Sequence, residues 1–321
     1  MTGAGIRLVA PGVTAEVDPV GAGLRRLTVA GVAVVESYAP DLAGRPGVGA
    51  PFAAGATLFP WPNRVRDGRW SWQGTEHRLS IDEPERHTAN HGLVRTRRFR
   101  LLSSRADSVT LGIDVGDDSG FPFTLGLTVT YTLRPDGIQT EFTVHNRGTR
   151  SAPFALGSHP YLRVGNAETD DLVLHINAGS TLGFDDRLLP VGPRSVTGTE
   201  ADPAGLALRG VELGHCFGDL VAVPGGGFRH RLVGPDGTGV ELETDERFRW
   251  VQVYTATDFP RETGLVRAVA IEPMTAPPDA LNSGIGLTTL QPGGTWRASW
   301  SLRTLPGPPG RGGQPGSGNM G

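Results

Sequence analysis

From residue 6 onward the apolar positions come in short bursts separated by Gly, Pro and Asp. Ile6–Val9, Val13–Val17, Leu24–Val29 and Val32–Val35 read as four short strands of an antiparallel architecture. Residues 41–62 are rich in Gly, Ala and Pro and predict a loop, and Arg69 to Leu79 predicts two strands around a Gln73-Gly74 turn. The clearest pattern lies between Phe123 and Asn146. Leu125, Leu127, Val129, Tyr131 and Leu133 alternate with smaller or polar residues, Arg134-Pro135-Asp136-Gly137 turns the chain, and Ile138, Phe142 and Val144 alternate on the return. Period two on both arms predicts a hairpin with one buried face. Similar hairpins are expected over Arg231–Tyr254, around Pro235-Asp236-Gly237, and over Leu287–Leu302, around Pro292-Gly293-Gly294. No window of a dozen residues carries a helical stripe, and Leu206–Leu213 comes nearest.

The fold class expected from this pattern is all-β, a large antiparallel β-sandwich. Neither an internal repeat nor a shift in composition marks a second domain, so residues 1–305 are expected to form one. Residues 306–321 carry almost nothing apolar and are expected to be disordered.

Composition narrows the chemistry. All 30 basic residues are arginine, which excludes a lysine Schiff base and a phosphate-loop lysine. Cys216 is the sole cysteine, so neither an internal disulfide nor a thiolate metal cluster is available. The 30 basic and 33 acidic residues leave a net charge of -3 with no run of like charge, which argues against nucleic-acid or membrane partners. No basic segment followed by an apolar run opens the chain, and no long apolar stretch occurs. A soluble, cytoplasmic protein is the expectation.

Four stretches gather polar residues at apparent strand ends. In Leu156-Gly157-Ser158-His159-Pro160-Tyr161-Leu162, proline pushes His159 into an extended conformation where a strand stops. Ala268-Val269-Ala270-Ile271-Glu272-Pro273 repeats the construction with a carboxylate, which is costly at the end of a buried strand unless paired or used. A histidine and a glutamate so placed suggest a general acid facing a general base, although a histidine satisfied by a carbonyl and a glutamate paired with arginine remain open. Phe59-Pro60-Trp61-Pro62-Asn63-Arg64 is a proline-stiffened turn presenting Asn63 and Arg64, whose fork suits neighbouring hydroxyl oxygens. His87-Thr88-Ala89-Asn90-His91-Gly92 has metal-ligand spacing but no helix to align both rings. His91 beside a glycine that lets a ligand approach is the better functional reading.

Taken together, the ordered set Pro-x-Pro-Asn-Arg-x-x-x-Gly at 60–68, Asn-His-Gly at 90–92, His-Pro-Tyr at 159–161 and Glu-Pro with Pro-Asp-Ala-x-Asn at 272–282 resembles the aldose 1-epimerase (galactose mutarotase) family. The resemblance implies a β-sandwich with a sugar cleft on one sheet. It implies Glu272 as the base at the anomeric hydroxyl, His159 as the acid at the ring oxygen, His91 and Arg64 as sugar ligands with Asn63 supporting Arg64, and no cofactor or metal. The substrate would be a hexose such as glucose or galactose. A hexose 6-phosphate, with Arg95, Arg97 and Arg98 near the phosphate, and a non-catalytic sugar-binding role are the alternatives. One departure stands out. Leu213-Gly214-His215-Cys216-Phe217-Gly218-Asp219 places Gly214 where the family carries a sugar-binding aspartate, so Asp219 or His215 is expected to substitute or the contact is lost.

Overall fold

The computed structural model describes residues 5–116, 120–196 and 205–307. Most of the tail expected to be disordered lies outside them. Two large antiparallel sheets carry the chain. One has nine strands, in the order Arg100–Ser104, Ser108–Val115, Leu125–Arg134, Gly137–Asn146, Thr295–Leu305, Gly239–Thr244, Phe228–Val233, Val173–Ile176 and Leu206–Ala207. The other has eight. Pro190–Ser195, Ala178–Phe184, Gly214–Leu220, Trp250–Arg261 and Gly264–Met274 lead to the short pieces Gly157–Ser158 and Thr57–Leu58, and Tyr161–Leu162 also pairs with Gly264–Met274. The four N-terminal strands, Ile6–Ala10, Val13–Asp18, Gly23–Val29 and Val32–Ala33, form a separate meander.

The two large sheets share one core. Leu127, Val129, Phe142, Leu242 and Leu302 from the first meet Phe217, Val251, Val253, Val269 and Ile271 from the second. The Trp300 indole donates to Ser158 Oγ (3.0 Å) between them. Burying these side chains is the main force holding the sandwich together, at about 1.5–3 kcal/mol for each large aliphatic or aromatic residue. The sole α-helix among the described residues is one turn, Ala280–Ser283.

The predicted hairpin at 123–146 is present, with Arg134 paired to Gly137, and so are the two strands around Gln73-Gly74. Two other expected hairpins are corrected. Phe228–Val233 pairs with Gly239–Thr244, but the return arm stops there. Asp245 accepts from the amides of Arg247 (2.9 Å) and Ser299 (2.6 Å), which turns the chain away. Trp250–Arg261 then joins the opposite sheet. Thr288–Leu290 and Thr295–Leu305 do not pair with each other. The first lies against Ala152–Phe154, and the second inserts between Gly137–Asn146 and Gly239–Thr244. Its two complete ladders outweigh a single short one. Leu206–Leu213, the nearest approach to a helical stripe, contains a two-residue strand and no helix.

Candidate active site

Alternation in three adjacent strands sets one face of the eight-stranded sheet apart. Phe217, Val251, Val253 and Ile271 enter the core, so Cys216, Gln252, Tyr254 and Glu272 point the other way. Cys216 is level with Gln252, and Gln252 with Glu272. The strand through Glu272 does not end there as expected: it runs on through Pro273 to Met274. His159-Pro160 interrupts the neighbouring edge, between Gly157–Ser158 and Tyr161–Leu162, which both pair with the Glu272 strand. His159 N donates to Ala56 O (3.0 Å), and its own carbonyl accepts from Gly55 N (2.8 Å), fixing the residue beside Glu272.

His159 Nε2 lies 3.3 Å from Glu272 Oε1, with both side chains buried. Burial pushes the glutamate up to about 8, against a smaller opposing pull from Arg64. Burial likewise pushes the histidine down to about 4. The cause is the cost of a charge out of water. The His159 ring stacks on Tyr161 at 5.3 Å and meets the edge of His91 at 5.4 Å.

The Asn63-Arg64 turn supplies the opposite wall. Asn63 is buried, its Oδ1 accepts from Arg64 N (2.9 Å), and its Nδ2 donates to Gln252 Oε1 (3.4 Å). Arg64 is held by Glu83 through two hydrogen bonds, from Nε (2.6 Å) and Nη2 (2.7 Å). Burial acts to raise the Glu83 carboxyl, but hydrogen bonds from Arg64 and Thr88 outweigh it and leave the group below its usual range. Asp279 fastens the same segment: its amide donates to Arg64 O (2.7 Å), and its carboxylate accepts from Arg66 N (2.9 Å) and Asn282 Nδ2 (2.7 Å). The Pro-Asp-Ala-x-Asn motif therefore acts on the arginine's position.

His91 Nδ1 accepts the Asn63 amide (3.2 Å). The neutral ring consequently carries its proton on Nε2. Burial first, then His159, Arg95 and Arg64, hold this histidine well below its usual value. Gly92 does not open a path to a ligand as expected. A Cβ there would sit 2.3 Å from Phe59 O, so glycine is needed for close packing of two backbones. His87 points away and bonds to Asp67 (3.1 Å).

These residues line a cleft of about 270 Å³, completed by Ala50, Phe52, Ala53, Asn90, Arg95 and Tyr161. Four buried polar atoms of its lining residues, Tyr161 Oη, Glu272 Oε2, Asn90 Oδ1 and His159 Nδ1, have no partner among the described residues, which suits a hydroxyl-rich ligand. Larger hollows lie elsewhere, but among the described residues no histidine lines them.

Asp219 does not substitute for the expected aspartate. It lies exposed near the far end of its strand with a left-handed backbone (φ 48°) and is absent from the cleft. His215 is directed to Phe217 on the other face. Cys216 packs with Leu182 and Met274 as a small apolar residue, its thiol pushed well up by burial. Of the three arginines suggested for a phosphate, only Arg95 reaches the cleft, where Asp82 engages it (2.8 Å). Arg97 donates to Asp114 O and Arg98 to Gly44 O. Gln252, Tyr254, Phe52 and Glu83 were not anticipated. The Val-Gln-Val-Tyr alternation at 251–254 is the signal that would have found the first two.

The aldose 1-epimerase family profile matches residues 5–303. The chain belongs to the aldose 1-epimerase family. Within it, the chain is 30% identical over 308 residues to the uncharacterized protein YihR of Escherichia coli (strain K12), covering 94% of this chain and 93% of that one. An E. coli aldose 1-epimerase matches at 27% over 154 residues, 46% of this chain and 44% of its own length. Among solved structures, a galactose mutarotase-like protein from Clostridium acetobutylicum superposes with a TM-score of 0.80 at 20% identity, covering 93% of this chain and 94% of its own. That likeness shows the family's sandwich fold. No described helix is long and apolar enough to cross a membrane.

Proposed function

We propose that this chain is an aldose 1-epimerase, a mutarotase that interconverts the α and β anomers of a hexose without a cofactor. The observation that carries the reading is the buried His159–Glu272 contact at the base of an otherwise hydroxyl-matching cleft. With the two groups displaced to about 4 and about 8, the pair holds one proton across the neutral range. Burial favours the neutral acid beside a neutral imidazole. The carboxylate–imidazolium form has the same proton count, and sugar hydroxyls donating to Glu272 Oε2 favour it once they replace the missing partner.

In that form Glu272 removes the proton from the anomeric hydroxyl as C1–O1 becomes a carbonyl. The C1–O5 bond breaks, its electron pair goes to O5, and His159 protonates O5. Rotation about C1–C2 presents the other face of the aldehyde. Closure returns the proton from the O5 hydroxyl to His159 and that from Glu272 to O1, leaving the pair as it began. Arg64 Nη1 and the His91 Nε2–H donate to ring and hydroxyl oxygens. One positioned acid and one base contribute about 10²–10⁴-fold each, enough for a reaction that already proceeds in water.

The test is polarimetry of freshly dissolved α-D-glucose and α-D-galactose with wild type and Glu272→Gln in parallel. Acceleration by the wild type alone supports the reading. A protein that binds either sugar without accelerating its mutarotation is a sugar-binding protein instead.

A further inference from the structure

Glu83 holds the Arg64 fork, so whatever fixes Glu83 fixes one wall of the cleft. Residues 83–88 close into a compact turn: Arg86 N and Thr88 N both donate to Glu83 O (3.2 Å each), and His87 N donates to Pro84 O (3.1 Å). The same turn gives the Glu83 carboxylate two further donors, Thr88 Oγ1 (2.6 Å) and Arg86 Nη1 (3.2 Å). Where the turn goes, the carboxylate and the Arg64 fork go with it.

That turn is gripped from outside by Arg187. This arginine sits between the paired strands Ala178–Phe184 and Pro190–Ser195, where Asp185 Oδ1 accepts from Arg187 N (3.0 Å) and Leu189 N (2.9 Å) and stiffens the connection. Arg187 Nε donates to Arg86 O (2.8 Å), and Nη2 donates to His87 O (3.0 Å) and to Asp67 Oδ1 (2.8 Å). His87 has a left-handed backbone (φ 52°), and its ring bonds to the same Asp67 oxygen (3.1 Å). The planar fork of an arginine suits two successive carbonyls and a carboxylate better than a lysine ammonium on its flexible stem would. The hairpin that carries Arg187 belongs to the sheet that carries Glu272, three strands away and roughly 14 Å off by strand spacing. Arg187 thus ties the floor of the cleft to its opposite wall without lining the cleft itself.

We propose that Arg187 is a positioning residue that fixes the Arg64 wall over the Glu272 floor, and so sets sugar affinity without touching the sugar. The inference rests on the mutarotase reading of the cleft. The side chains of Arg187 and Asp67 are 32% and 40% exposed, and an ion pair so open to water adds little to stability. Its effect is on geometry: the fork holds the 83–88 turn, the turn holds Glu83, and Glu83 holds Arg64. A second tie between the same elements, Arg66 Nη1 to Asp185 Oδ2, is looser at 3.7 Å. The histidine spacing at 87 and 91 then has a reading without a metal, with His87 serving the strut and His91 the cleft.

Polarimetric kcat and KM, with calorimetric Kd, for D-glucose and D-galactose test this in wild type, Arg187→Ala, Arg187→Lys, Glu83→Gln and the Arg187→Ala/Glu83→Gln double variant. Arg187→Ala is expected to raise KM and Kd by about fivefold, with kcat within about twofold and the urea midpoint little changed. Arg187→Lys keeps the charge beside Asp67 but lacks the fork, so it should show most of the same rise. Because both residues act on Arg64, the double variant should reach only the roughly tenfold rise of Glu83→Gln and not the product of the two effects. Wild-type KM and Kd in either Arg187 variant overturn the proposal, and so does a double variant in which the effects multiply. A wild type that binds either sugar without accelerating its mutarotation overturns the mutarotase reading alone, and the Kd series then decides the role of Arg187. Binding of neither sugar overturns both.

Discussion

Each large sheet contains a buried glutamate, and the two have opposite surroundings. Glu241, on the nine-stranded sheet, is fully buried yet meets Arg229, Arg231 and Arg303. Burial acts to raise its carboxyl, but the hydrogen bonds from Arg231 and Arg303 prevail and hold it below the usual range. Glu272, 2% exposed on the other sheet, touches no guanidinium at ion-pair distance among the described residues; it has one histidine and an oxygen without a partner. Its carboxyl is pushed up to about 8. Burial alone therefore does not mark a functional carboxylate. What distinguishes Glu272 is that its environment leaves the cost of burial unpaid within the protein. His230 extends the contrast: it too is buried and pushed down to about 4, yet among the described residues it lines neither the cleft nor the two larger hollows.

The largest expected effect is on turnover. Glu272→Gln and His159→Asn each abolish mutarotation, a loss on the order of 10³-fold or more, with the fold intact. Glu241→Gln leaves turnover within about twofold but lowers stability by about 1–3 kcal/mol, because three guanidiniums lose their shared negative charge and one of its two acceptor oxygens becomes an NH2 donor. Polarimetry and urea unfolding on the same preparations separate the two. A Glu272→Gln enzyme with near-normal rates would remove that residue from the mechanism.

Dependence on pH sharpens the contrast, since the two carboxyls shift in opposite directions. The folded state raises the Glu272 value, so its contribution to stability is fully present below about 4.5 and lost as pH rises through about 8. The folded state lowers the Glu241 value, so its contribution is present above the unfolded value and lost as pH falls toward the acid range. Urea midpoints across pH 4–9 should therefore show wild type losing ground to Glu272→Gln on the alkaline side and to Glu241→Gln on the acid side. For activity, the singly protonated pair is the working form. The kcat/KM profile should rise near pH 4 and fall near pH 8. A flat profile over that range would contradict the pair's role.

A smaller effect is expected one layer out. Glu83→Gln frees the Arg64 fork from its two-point hold. KM should rise by about tenfold with kcat changed by much less, because the chemistry at Glu272 and His159 is untouched. An equal fall in kcat would mean that Arg64 acts in the transition state alone.

These contrasts also explain which features the sequence made legible. Glu272 and His159 were readable because each follows an apolar strand and precedes proline, a local arrangement. Glu83 was not, because the hairpin at 69–78 separates it from Arg64 and no local pattern links the two. Asp219 enters as a candidate only because it is the nearest carboxylate in sequence after Gly214. Its odd spacing from Gly214 argues for the other face of the strand, and its left-handed backbone carries it further away. The strands were found by their alternation, but alternation tells which face is buried and not which strand lies alongside. That is why Thr288–Leu290 and Thr295–Leu305 were paired wrongly with each other.

The smallest expected effect is from chelation, and it tests the same contrast from the side of charge. His91, His159 and Glu272 offer ligand atoms within 4.8 Å of one another, the reach of a divalent cation. Such an ion would supply Glu272 with the positive partner that Glu241 obtains from arginine. Yet His91 Nδ1 already accepts the Asn63 amide, which leaves the proton on Nε2, and burial keeps a proton on Glu272. A cation would have to displace both protons. EDTA should therefore leave the mutarotation rate within about 1.5-fold and the alkaline limb near pH 8 in place. Loss of activity restored by zinc, with the limb shifted toward acid, would show instead that Glu272 is a metal ligand and that both glutamates are neutralised by cations.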